Sequence, residues 1–162
     1  MNFINKIMDR TLLNKLTFFI GGILIFATGM LYVLLTDLYL PVRAAWLLIG
    51  SVLSIGSAVC MLLSSNLQEE RTKLIVVKSV AVALAACFIA FLFIYMNAAL
   101  TSTVSERSDE YKNNVFALAA IFKDADKAKT VAMTVVSIVL SFIALIAQSA
   151  NLYLTIADKT DD

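Results

Sequence analysis

At 162 residues, with 60% of positions hydrophobic and 15% charged, the chain is too apolar for an ordinary water-soluble domain and far too apolar for disorder. The formal net charge of +1, with Lys and Arg scattered rather than gathered, leaves no basic field for direct nucleic-acid binding. The apolar composition points to an integral membrane protein, and the lack of histidine removes the commonest metal ligand, the usual haem ligand and the usual general base at neutral pH.

Residues 1–15 place Phe3, Ile4, Ile7, Met8, Thr11 and Leu12 on one helical face, with Asn2, Asn5, Lys6, Asp9 and Arg10 mostly on the other. The pattern is that of an interfacial amphipathic helix leading into a span, with a frayed basic flank as the alternative. Residues 16–36 are uncharged and give about 31 Å of helix, which matches a bilayer core. The run passes directly into Asp37, Tyr39, Pro41 and Arg43 without a small-residue cleavage site, so it reads as a retained span. Pro41 sits in the following turn, where it breaks no helix, and Tyr39 and Trp46 flank that turn as an aromatic belt would. Gly21, Gly22 and Gly29 fit no nucleotide-binding fingerprint and read as helix-packing contacts.

The second uncharged run is 44–68, in which Gly50, Ser54, Ser57, Met61 and Ser64 follow one face. Gly50, Ser54 and Ala58 form a small-xxx-small row that admits a close neighbour. The next connection, Glu69, Glu70, Arg71, Thr72 and Lys73, is tight enough to make the second and third spans an antiparallel hairpin. The third span covers about 75–103. Lys78 lies near its end and is expected to snorkel toward headgroups. A symmetric hairpin sets Glu69 opposite Lys78 and Cys60 opposite Cys87. Ala83, Ala86 and Ala90 make a small packing face, and Phe88, Phe91 and Tyr95 a bulky one.

Residues 106–129 are the long connection, with charged ends bracketing an apolar stretch at 115–122 that is too short to span and suits a short helix on the bundle or in the interface. Residues 158–162 form an acidic tail. Between them, 130–157 carries no charge at all. Thr130, Thr134, Ser137, Ser141, Ala144, Gln148, Asn151 and Thr155 recur there at alternating spacings of four and three, a seam of small and polar side chains on an otherwise lipid-soluble helix. The seam reads either as helix glue or as the neutral lining of a pore in a symmetric oligomer.

The expected fold is therefore all-α: a polytopic four-transmembrane-helix bundle with an N-terminal interfacial helix and one longer extracytoplasmic loop. Lys6, Arg10 and Lys15 before the first span, against Arg43 after it, favour both termini in the cytoplasm of a bacterial inner membrane. No carboxylate falls within a span, and there is no nucleophile with a base and no phosphate loop, so neither enzyme nor proton-coupled carrier is expected. No cofactor or metal is expected either, since Cys60 and Cys87 sit in apolar runs as inert thiols.

Three functions fit this reading. One is a scaffold or sensor subunit that homo-oligomerises in the lipid bilayer and recruits a soluble cytoplasmic partner, with Lys6, Arg10, Glu69, Glu70, Arg71 and Lys73 as contacts. Another is a homo-oligomeric channel lined by the fourth span. The third is a small immunity or exclusion protein whose loop at 106–129 carries specificity. In size, in its four spans and in its hydrophobic outer loop, the chain looks like the membrane subunit of the two-component bacterial Kiwa anti-phage system. That resemblance lies in layout alone and assigns no residue a role. It implies a homo-oligomeric membrane platform that recruits a nucleic-acid-acting partner during phage attack.

Overall fold

A computed structural model describes residues 10–35, 43–67, 69–105 and 125–157. These form four helices: α1 (Arg10–Leu35), α2 (Arg43–Asn66), α3 (Arg71–Ser105) and α4 (Ala125–Ala157). No strand occurs among the described residues. Each helix is long and apolar enough to cross a membrane, with the hydrophobic spans at Leu12–Tyr32, Leu48–Asn66, Arg71–Asn97 and Ala132–Ala157. The chain has the make-up of a multi-pass membrane protein.

The four helices stand in a square in which each packs on its neighbours in sequence and α4 closes back onto α1, its most extensive contact. All four neighbouring pairs are antiparallel: Asn14 meets Asn151 while Gly21 meets Gln148, Tyr32 meets Gly50 while Gly29 meets Ser54, Ser57 meets Ala81 while Gly56 meets Leu84, and Lys78 meets Thr155 while Phe93 meets Phe142.

Buried positions recur every three or four residues on each helix. They are Thr17, Gly21, Ile25, Thr28 and Tyr32 on α1, and Gly50, Ser54, Ser57, Met61 and Ser64 on α2. On α3 they are Lys78, Ala81, Ala85, Phe88, Leu92 and Tyr95, and on α4 Thr134, Ser137, Ser141, Ala144, Gln148, Asn151 and Thr155. A repeat near 3.5 residues keeps one stripe of each helix against its neighbours through a left-handed supercoil. Large apolar side chains such as Ile23, Leu62, Ile94 and Ile146 point outward, each more than half exposed. A small, partly polar interior inside an apolar exterior is stable in lipid, where close backbone approach and interhelical hydrogen bonds replace the hydrophobic drive. In water the same surface would be a large aggregation-prone patch.

The interior changes character along its length. Toward the Tyr32 end it is aromatic, with the Tyr32 ring edge-on to Phe88, Phe91 and Tyr95 at centroid separations of 6.1, 5.6 and 5.3 Å. Gly50 makes room for that ring, since a methyl group there would lie inside the ring's van der Waals envelope. Toward the end where α2 turns into α3, the interior is hydroxyl- and amide-rich.

Several sequence expectations need correction. The hairpin is not symmetric about the Lys73–Leu74 bond, because the chain folds back earlier: Leu67 and Glu70 close the turn by donating their amides to the Ser64 and Leu67 carbonyls, and α3 starts at Arg71. Ser57 consequently meets Ala81 rather than Ala90. Cys60 is half-buried, Cys87 is exposed, and both thiols are free. Glu69 is exposed, and Lys78, only 6% exposed, turns into the bundle to donate to Thr155 Oγ1 at 2.7 Å instead of snorkelling outward. The row Ala83, Ala86 and Ala90 is exposed among the described residues; the bulky face of α3 goes inward because Tyr32 offers it aromatic edges. At the other end of α1, the helix runs unbroken through Lys15 and Leu16 from Arg10, since nothing between them interrupts helical hydrogen bonding. Residues 1–9, the loop segment 106–124 with its expected short helix, and the tail 158–162 lie outside the described residues.

Candidate functional site

The polar seam of α4 is where chemistry-bearing side chains converge. Thr134, Ser137, Ser141, Ala144, Gln148, Asn151 and Thr155 are all buried, none more than 8% exposed; the side chain of Thr130 lies outside the described residues. Thr134, Ser137 and Ser141 bring small surfaces to the interface. The Ser137 hydroxyl donates to the Met133 carbonyl one turn earlier at 2.9 Å, the usual way a membrane helix satisfies a hydroxyl. Ser141 Oγ has no hydrogen-bond partner among the described residues.

Gln148 is the centre of the seam. Its Nε2 donates to the Gly21 carbonyl of α1 at 3.2 Å and to Ser57 Oγ of α2 at 3.1 Å. Ser57 in turn donates its single proton to the Ala81 carbonyl of α3 at 2.8 Å. Because a serine hydroxyl carries one proton and two lone pairs, it can serve Gln148 as acceptor and Ala81 as donor at once. The more distant Gln148 Oε1, at 3.4 Å, is the weaker competitor for that proton. One relay thus joins all four helices: α1 through a backbone carbonyl, α4 and α2 through side chains, and α3 through another carbonyl. Gly21 is what lets the amide in, since a Cβ at that position would come within 2.7 Å of Gln148 Cγ and 3.3 Å of its backbone nitrogen.

A second cluster lies one turn further along. Asn151 Nδ2 donates to the Asn14 carbonyl at 2.7 Å, to Asn14 Oδ1 at 2.6 Å and to Thr17 Oγ1 at 3.2 Å. These acceptors on α1 fix which end of the amide is nitrogen, and the other end, Oδ1, is buried without a partner. Thr155 Oγ1 donates back to the Asn151 carbonyl at 2.9 Å and accepts from Lys78 Nζ. Finally, Arg71 Nη2 reaches the Thr155 and Ile156 carbonyls, both at 3.2 Å. It supplies a cation and two donors to the carbonyl end of α4, where the helix dipole is negative. Arg71→Ala is expected to destabilise the bundle by about 0.3–1 kcal/mol, measurable as a fraying of the last turn of α4 in amide hydrogen exchange.

Among the small-residue contacts, Gly29 abuts Ser54 closely enough that an added Cβ would come within 2.8 Å of the serine Cβ. Ser54 and Ala58 are buried on α2. Gly22 is looser, with the Met61 Cβ at 4.0 Å from where a methyl would stand. Of the suggested partner contacts, Lys6 lies outside the described residues and so does the side chain of Arg10. Glu69, Glu70 and Lys73 are exposed at the hairpin tip, with Lys73 paired to Glu70. Arg71 is the exception, since it is engaged with α4.

Sequence reasoning named Gly21 only as a packing contact and passed over Asn14, Thr17 and Tyr32. Their signal was present in the spacing of Thr17, Gly21, Thr28 and Tyr32, which repeats the seam's periodicity on α1. Among the described residues no group of three or more His, Cys, Asp or Glu could hold a metal ion. No protein-family model, curated protein or solved structure matches the chain.

Proposed function

We propose that the chain is a non-enzymatic scaffold or sensor subunit of the bacterial inner membrane, with both termini in the cytoplasm, which homo-oligomerises and presents its cytoplasmic end to a soluble partner. The observation that carries this reading is that the seam's hydrogen bonds link helix to helix within one chain, Gln148 alone bridging to α1 and α2. A pore lined by α4 would instead need Gln148 and Asn151 at an axis between copies, and each is 1% exposed within its own bundle. Oligomerisation is supported by the exposed alanines 83, 86 and 90 of α3, around the exposed Cys87: outward-facing small residues at helical spacing let a second backbone approach closely in lipid. The exposed Glu69, Glu70 and Lys73 are the charged groups offered to a partner. The likeness in layout to the Kiwa membrane subunit would make that partner a nucleic-acid-acting protein.

Oxidative cross-linking in native membranes tests the proposal. Cys87 is expected to give a disulfide-linked dimer that Cys87→Ser abolishes and Cys60→Ser leaves intact. Ala86→Leu and Ala90→Leu, on a face the bundle does not use, should lower the dimer yield on the order of fivefold, the loss expected for about 1 kcal/mol of helix contact. A chain that stays monomeric in membranes under these conditions refutes the oligomeric scaffold.

A further inference from the structure

Where α1 and α3 begin and α2 and α4 end, a cleft of about 440 Å³ opens into the bundle. Its described lining includes two ammonium groups, Lys15 and Lys78, and no carboxylate. Lys15 is exposed at the rim and Lys78 is buried behind it. Asn151 also lines the cleft, and its buried Oδ1 is an acceptor without a donor. The described lining therefore offers positive charge at the mouth of the cleft.

Phe18 and Phe19 belong both to this cleft and to an adjoining apolar groove of about 350 Å³ between α1 and α2. Gly22, Ile23 and Phe26 form one wall of the groove, and Ala58, Met61 and Leu62 the other. Gly22 keeps it open, because no atom lies closer than 4.0 Å to where its Cβ would be. From Lys15 to Phe26 the helix rises about 16 Å, roughly one leaflet of a hydrocarbon core about 30 Å thick. A basic polar mouth at one end of the spans, continuous with an apolar trough one leaflet deep, has the shape and polarity of a single phospholipid.

We infer that this cleft and groove bind one anionic glycerophospholipid from the leaflet at that end of the bundle. The phosphate lies against the exposed Lys15 ammonium group, with the positive charge of Lys78 behind it, and one acyl chain fills the groove beside Gly22. The site requires the bundle to sit in a membrane but is independent of whether the chain is a scaffold, so the cross-linking experiment above and the one below fail separately.

Native mass spectrometry of the full chain, released from detergent with phosphatidylglycerol or phosphatidylcholine added, provides the test. One phosphatidylglycerol should be retained in preference to phosphatidylcholine by on the order of tenfold, as two basic side chains near a phosphate imply. Lys15→Glu reverses an exposed charge and should lower that preference about fivefold or more. Gly22→Leu fills open space in the groove and should cut lipid retention without changing charge, and both variants should keep the unmodified chain's melting temperature in detergent. Millimolar inorganic phosphate or soluble glycerophosphoglycerol should not displace the lipid. Equal retention of the two lipids, or retention indifferent to both substitutions, overturns the inference. Displacement by the soluble anions that is insensitive to Gly22→Leu also overturns it, assigning the cleft to a free phosphate compound instead.

Discussion

Gly50→Ala should lower the stability of the bundle by about 1–3 kcal/mol, read as a shift of the unfolding midpoint in a mixed-micelle denaturant titration. The new methyl group overlaps the Tyr32 ring, and that ring has no retreat: it is fully buried, with Phe88, Phe91 and Tyr95 edge-on around it. Either α1 and α2 move apart or the aromatic cluster is broken, and each loses packing that lipid does not restore. Replacing glycine by alanine in a helix interior otherwise gains up to about 1 kcal/mol in propensity, so overlap and propensity compete and the surroundings decide the sign. Gly22→Ala, with open space, should be neutral or slightly stabilising, and Gly56→Ala, which meets only the flexible end of Leu84 at 3.4 Å, should be tolerated. Gly21→Ala should join Gly50→Ala among the damaging changes, since it meets Gln148 close to its backbone. A flat response across the four positions would mean that the helices do not approach as closely as described.

Gln148→Leu is expected to cost about 1–2 kcal/mol and to weaken the docking of α4 on both α1 and α2. Interhelical hydrogen bonds in membranes average about 0.6 kcal/mol, with a maximum near 1.7, and this substitution removes the two that Nε2 makes to Gly21 and Ser57. Leucine keeps most of the volume, so a cavity contributes little. A cycle with Ser57→Ala separates the hydrogen bond from general packing damage. If the relay is real, the two single changes couple by at least about 0.5 kcal/mol, because each removes the same Gln148–Ser57 bond. Strict additivity would show that Gln148 and Ser57 are merely buried side by side. The same cycle with Asn151→Leu and Thr17→Ala examines the second cluster, where Asn151 makes further bonds to Asn14, so the expected coupling is smaller.

Four helices long enough to span were legible in residues 16–36, 44–68, 75–103 and 130–157, because runs of that length with at most one charge, Lys78 near the end of the third, have few other stable fates. The face of α4 that would carry the polar groups was legible too, since alternating spacings of four and three place Ser137, Ser141, Gln148 and Asn151 on one stripe of any helix. The inward face of α3 was not. Ala83, Ala86 and Ala90 satisfy the small-residue pattern as well as Ala81 and Ala85 do, and both stripes are apolar, so composition offers no sign of which meets protein and which meets lipid. A water-soluble helix would have marked its outer face with charge; a membrane helix has no such need.

What the sequence determined by itself is therefore one-dimensional: helix, length, and the stripe on which each polar group lies, all set by local chemistry and the solvent that chemistry demands. Only the tertiary arrangement decided which groups meet. The earlier closure of the turn at Leu67 and Glu70 put Ser57 against Ala81, and the return of α4 onto α1 delivered Gln148 to the gap left by Gly21. Those pairings join residues far apart in the chain and depend on the offset and rotation of whole helices. That offset and rotation are fixed by the summed fit of every contact along the interface, and no local spacing encodes such a sum.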